Sequence, residues 1–121
     1  MFGGSIMAAE KSTFSGNTSM LVLKLLDEKD MYGYQIIEEL ALRSENAFQL
    51  KTGTIYPLLH SLEKDKMISS YDEKADSLRI RKYYKLTKKG SGFLQKALAE
   101  WQEYSRAVTL VMEGGLDNAF A

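Results

Sequence analysis

A chain of 121 residues, 45% of them hydrophobic, can bury one core and leaves too little for a second independent domain. It contains no cysteine and a single histidine, His60, which excludes disulfides and zinc-type ligand pairs and leaves nucleophilic catalysis without its parts. The formal net charge is zero, 16 Lys and Arg against 16 Asp and Glu, which would argue against a polyanionic partner if the charges were evenly spread.

They are not evenly spread. Between residues 27 and 45, Asp27, Glu28, Asp30, Glu38, Glu39 and Glu45 outnumber Lys29 and Arg43. Between residues 74 and 89 the balance reverses, with Lys74, Arg79, Arg81, Lys82, Lys85, Lys88 and Lys89 against Asp76. Attraction to phosphate is screened within about 8–10 Å at physiological salt, so a basic patch is felt locally whatever the total charge. No apolar run reaches the ~18 residues of a membrane span, and no basic segment followed by an apolar stretch opens the chain. The expectation is a soluble, cytoplasmic protein that is not an enzyme, with no membrane partner, metal or cofactor.

Residues 1–16, rich in Gly, Ser and Ala, read as a flexible N-terminal arm within which Met7 offers a second natural start. From Asn17 or Thr18, either able to cap a helix, Met20, Leu21, Val22, Leu23, Leu25 and Leu26 crowd into a helix buried on most sides. The acidic run Asp27-Glu28-Lys29-Asp30 breaks the pattern and Tyr32-Gly33-Tyr34 follows. A second helix carries Ile36, Ile37, Leu40 and Ala41 as a one-sided stripe and ends near Ser44. The third has the clearest periodicity, with Ile55, Leu58, Leu59 and Leu62 at i, i+3, i+4 and i+7. Proline has no N–H to donate, so Pro57 predicts a start between Thr52 and Thr54 with a threonine as the cap. Such a start leaves Lys51, Thr52, Gly53 and Thr54 at the end that a recognition helix points into the major groove, with His60 and Lys64 on the polar side.

A hairpin is predicted next, with Met67–Tyr71 as first strand, Asp72–Ser77 as turn and Leu78–Leu86 as return strand. In the return strand Arg79, Arg81, Tyr83 and Lys85 share one basic face, while Leu78, Ile80, Lys82, Tyr84 and Leu86 share a mainly apolar one. A basic hairpin face directly after a recognition helix is what a DNA-binding wing requires. Thr87 then caps a last helix over residues 87–113, stopped by Gly114-Gly115, with residues 114–121 as a tail. At 1.5 Å per residue it would be about 40 Å long, more than the ~30 Å of a small domain, so it overhangs. Leu94, Ala97, Trp101, Tyr104, Val108 and Val111 alternate in steps of three and four along it, and such a seam calls for a partner helix, most simply that of an identical chain. The fold class is therefore mainly α with a small β-hairpin: residues 17–86 as a winged helix-turn-helix, and a long C-terminal dimerisation helix.

Three ordered blocks then carry a resemblance: Tyr32-Gly33-Tyr34; Thr52-Gly53-Thr54-Ile55-Tyr56 with Leu58, Leu59, Leu62 and Glu63; and the segment from Arg81 to Gly90. The chain resembles the PadR family of bacterial transcriptional regulators over Asn17 to Gly115, specifically its short subfamily with one C-terminal dimerisation helix. The resemblance implies a homodimeric repressor on an inverted-repeat operator in double-stranded DNA, often released by a small molecule. On that reading Lys51, Thr52, Thr54 and His60 face base edges, Tyr56 stands beside them, and Tyr34, Gln35, Lys64, Lys74, Arg79, Arg81 and Lys82 face phosphates. The chain ends soon after Gly115, without the long effector domain of the phenolic-acid-responsive members, so sensing of phenolic acids is not implied. Short members that bind drugs sandwich flat molecules between interface aromatics. Trp101 stands in the matching place, with Phe93 and Ala97 on its helix and Phe14 and Met20 at the sides as a candidate site for an aromatic effector. The plainer alternative is that Trp101 only packs between protomers. A second functional class is a winged-helix module that binds another protein through its long helix and not DNA, and the clustered wing charges argue against it.

Overall fold

The apolar crowding after Asn17 sinks a helix into the core. α1 spans residues 17–28 in the computed structural model, which describes residues 17–76 and 79–114, with the backbone alone at 75 and 76. Val22, Leu23, Leu25 and Leu26 are all buried, which covers adjacent faces of α1. Around it pack β1 (Met31–Tyr32), α2 (Gly33–Arg43), α3 (Thr52–Lys64), β2 (Ile68–Asp76), β3 (Arg79–Leu86) and α4 (Lys88–Met112). The core is completed by Met31, by Ile36 and Leu40 of α2, by Ile55, Leu59 and Leu62 of α3, and by Ile68 and Tyr84 of the sheet.

Three antiparallel strands form that sheet in the order β1-β3-β2. β1 is unanticipated. Two residues are too few to show a period, and Met31 and Tyr32 become a strand only by pairing with Tyr84 and Tyr83. The hairpin also differs from expectation: Asp72 to Asp76 lie in β2 rather than in the turn, with Asp72 opposite Lys82, Glu73 opposite Arg81 and Lys74 opposite Ile80. A register shift after Lys74 then sets Asp76 opposite Arg79. Opposite charges facing across the strands favour this longer ladder over a wide loop.

The start of α3 corrects a detail. Lys51, not a threonine, occupies the N-cap and makes no side-chain cap bond. Pro57 is the sixth helical residue, one turn deeper than the first-turn rule allows. The N–H it lacks would have bonded the carbonyl of Gly53, an exposed residue around which even a Cβ would meet nothing within 4 Å, so water can serve that carbonyl instead. Thr87 caps α4 as predicted, its Oγ1 accepting the Gly90 N–H at 3.0 Å. The same hydroxyl reaches the carbonyls of Lys66 and Met67 at 2.7 and 2.9 Å, and a Cβ on Gly90 would collide with the Met67 carbonyl. This knot fixes where α4 leaves the sheet.

α4 has 25 residues, about 38 Å at 1.5 Å per residue, and ends at Met112 with Glu113 as the cap residue before Gly114, which takes the left-handed φ of 75°. Its first part shares the core. Leu94, expected in the intersubunit seam, is 2% exposed and packs within its own chain, with Ala97 and Leu98 half-buried beside it. Helical phase continues the stripe unbroken, but the domain ends beneath it, so the same face is core near Leu94 and bare from Trp101 onward. Val111 is 77% exposed.

Candidate nucleic-acid interface

Glycine 33 sets the site's geometry. A Cβ there would collide with the phenol of Tyr56, so its absence lets the start of α2 close directly on the middle of α3. The exposed stripe of α3 runs Thr52, Tyr56, His60, Lys64 in steps of four. Beside it opens a groove of about 790 Å³ lined by Tyr34 and Glu38 of α2, Tyr56, His60 and Glu63 of α3, and Arg79, Ile80, Arg81 and Lys82 of β3. Of the predicted DNA-facing residues, the structure therefore brings Tyr34, Tyr56, His60, Arg79, Arg81 and Lys82 together. Lys51, Thr52 and Thr54 are exposed at the N-terminal end of α3 and Lys64 at the other, all outside the groove lining. Gln35 is half-buried, and Lys74 is exposed on β2.

The return strand divides its faces as the alternation predicts, but burial covers only part of the inner one. Met31, Ile68 and Tyr84 are buried on the inner face, and Ser70, opposite Tyr84, donates to Glu63 of α3 at 2.5 Å. Lys82 and Ile80 continue that inner face beyond the core, where Ile80 is 68% exposed and overhangs the groove. The apolar face is thus apolar to the core only as far as Tyr84, and Lys82 belongs to the groove side. Arg81, Tyr83 and Lys85 lie on the outer face.

That outer face carries a ladder of tyrosines. Tyr83 stacks on Tyr71 with centroids 5.8 Å apart and planes 15° from parallel, and Tyr32 meets Tyr83 edge-on at 5.5 Å. The Tyr71 hydroxyl donates to Asp30 Oδ2 at 2.7 Å, and this bond to a carboxylate pushes the phenol's pKa up to about 12. The Arg81 guanidinium sits 4.3 Å over the Tyr32 ring. Tyr32, Tyr71 and Tyr83 escape sequence reasoning as a group, because they are remote in sequence and only the register of three strands aligns them.

Charge is distributed unevenly between contacts. Among the described residues the ion pairs all lie at the α1–α2 corner, where Arg43 forks onto Glu28 at 2.6 and 3.0 Å and reaches Glu39 at 2.9 Å, and Lys24 approaches Glu28 at 3.9 Å. The hydrogen bond from Arg43 holds the Glu28 carboxyl below its ordinary range and pushes the guanidinium's pKa up. No described lysine or arginine of the wing is in an ion pair.

A second cleft, of about 290 Å³, lies where the first half and middle of α4 meet the start of α1, lined by Asn17, Met20, Phe93, Ala97, Glu100, Trp101 and Tyr104. It unites four of the five residues assigned to an effector; Phe14 lies outside the described residues. Trp101 and Tyr104 tilt together at 6.2 Å. Among the described residues no helix is long and apolar enough to cross a membrane.

The model of the transcriptional regulator PadR-like family matches residues 22–96, more than half of the chain. The chain belongs to that family. A Lysinibacillus sphaericus relative named Uncharacterized protein X is 37% identical over 82% of this chain and 91% of its own length. Transcriptional regulator Rv3488 of Mycobacterium tuberculosis is 30% identical over 67% of this chain and 72% of its own. The crystal structure of a PadR family transcription regulator from Clostridium difficile superposes with a TM-score of 0.67 at 34% identity, covering 78% of this chain and 96% of that one. This PadR-like regulator therefore has the winged-helix fold anticipated from its motifs, mainly helical with a small antiparallel sheet, and its family-matched segment contains the whole groove.

Proposed function

We propose that this PadR-like regulator is a cytoplasmic repressor that binds, as a homodimer, an inverted-repeat operator in double-stranded DNA. The observation that carries this reading is the groove in which exposed Tyr56 and His60 of α3 face Arg79 and Lys82 of the wing. A helix and a hairpin presented side by side suit one major groove and the backbone next to it. Lys51, Thr52, Thr54 and His60 read base edges, while Tyr34, Gln35, Lys64, Lys74, Arg79, Arg81 and Lys82 contact phosphates and supply most of the affinity. The decisive test is binding to the regulator's own upstream DNA across a salt series. A sequence-specific complex that weakens steeply with salt is expected, and salt-independent or absent binding would return the molecule to a protein-interaction module.

The dimer in this proposal forms along α4 through Ala97, Trp101, Tyr104, Val108 and Val111. Its support is the bare apolar face from Trp101 to Val111, since contiguous exposed apolar surface marks an interaction site. Val108→Asp would put two carboxylates in that interface at a cost of several kcal/mol each unless protonated, so sedimentation should show monomers. An intact dimer of parental stability would move the interface elsewhere.

The cleft beside Trp101 favours a second element: release by a flat aromatic compound, with Glu100 on the wall favouring a cation. Flat cationic dyes should quench the single tryptophan and lower operator affinity. Dyes that quench without changing operator affinity, or that fail to quench, would leave Trp101 a packing residue.

A further inference from the structure

We infer that Tyr32 is a positioning residue for the wing: its ring holds the Arg81 guanidinium at the β1 edge of the sheet and away from Glu73. The strand order makes this a contest between two neighbours. β3 lies between β1 and β2, so Arg81 has Tyr32 on one flank and Glu73 directly opposite on the other. An arginine facing a carboxylate across a strand pair can fold onto it and spend its charge there. Here the guanidinium rests instead 4.3 Å over the Tyr32 ring, and no described acid pairs with it. Tyr32 and Arg81 both line the groove, whereas Glu73 does not.

The ring can hold the cation because it is itself held. Tyr32 meets Tyr83 edge-on, Tyr83 stacks on Tyr71, and the Tyr71 hydroxyl is bonded to Asp30 at 2.7 Å, two residues before Tyr32 in the chain. The ladder thus crosses all three strands and returns to the segment that begins it, so the ring has little freedom to follow a mobile side chain. A cation over an aromatic face is favoured most when the ring is fixed and partly desolvated, and Tyr32 is half-buried. The device leaves the guanidinium's outward N–H groups free for a phosphate.

The inference rests on the DNA-binding reading for its purpose but not for its geometry, and two measurements separate them. In the free protein, NMR should show the Arg81 side-chain protons shifted upfield by the ring current in the parent and in Tyr32→Phe, and unshifted in Tyr32→Leu. Unshifted protons in the parent would overturn the arrangement whatever DNA does. In duplex binding, Tyr32→Leu should weaken affinity about 5-fold, an exposed-to-intermediate cation–π effect, and Tyr32→Phe should restore it. In an Arg81→Ala background the Leu substitution should change affinity less than about 2-fold, because the partner it positions is gone. A loss from Tyr32→Leu that persists in full in that background would show a merely structural role and overturn the inference. A parent that binds no duplex while keeping the ring-current shift would instead overturn the DNA-binding reading alone.

Discussion

The α1–α2 corner and the wing both set acids beside bases, yet they use them in opposite ways. At the corner Arg43 is fully engaged by Glu28 and Glu39, and the three charges hold two helices together. On the wing Asp72 and Glu73 face Lys82 and Arg81 across the strands, but no described basic residue there is in an ion pair. The difference lies in geometry. Arg43 has a carboxylate within reach on its own helix, four residues back, and another at the end of α1, whereas on the wing Arg81 lies over the Tyr32 ring and Lys82 is exposed at the groove. Charge at the corner is spent on the fold, whereas charge on the wing is held in no ion pair among the described residues.

The comparison breaks most sharply at Lys82. Lys82→Glu removes a groove-side cation and adds a like charge opposite Asp72. Binding to every duplex should fall roughly tenfold or more near 150 mM salt, with the salt slope reduced by about one phosphate contact. Retained affinity in a gel-shift or anisotropy titration would remove Lys82 from the interface. The reverse change is smaller. Asp72→Asn lifts the local restraint on Lys82 and should tighten binding to specific and non-specific DNA alike by about 2- to 5-fold, most at low salt. An unchanged Kd at low salt would mean that the acidic strand does not temper the wing.

The smallest effect belongs to the corner. Arg43→Ala should leave DNA affinity unaltered and lower Tm slightly, because exposed ion pairs contribute little and are weakened by salt. Its pH dependence has a defined sign. The Glu28 carboxyl is depressed in the folded state, so its contribution is present above the ordinary carboxylate pKa and is lost as pH falls through the folded value. Melting curves of parent and variant should therefore differ at neutral pH and converge in acid. A difference that widens below pH about 4 would contradict the pairing.

Much of the architecture was legible in the residues because its causes are local. Ile55, Leu58, Leu59 and Leu62 announce the inward side of α3 through a period that needs no knowledge of what covers it. Thr87 marks the start of α4 because a cap bonds a residue three places on. The Tyr-Gly-Tyr block marked the right place, although its reason, the closure of Gly33 on Tyr56, is a contact between two helices. The basic cluster of the wing was equally plain as a run of letters.

What only the tertiary structure decided is everything that depends on which distant segments meet. β1 exists because Met31 and Tyr32 find β3, and Asp72 and Glu73 are set opposite Lys82 and Arg81 by a register no local pattern specifies. Leu94 and Val111 belong to one helical stripe, yet one is core and the other bare, because the domain ends between them. Arg81 was readable as a cation but not as one held over Tyr32, since that pairing joins strands nearly fifty residues apart. Sequence by itself determined the helices, the cap of α4 and the sign of the charge on each segment, for these follow from bonds and periods within a turn or two. The fold alone determined which charges are spent and which stay free, for that follows from the flanks each strand acquires when the sheet closes.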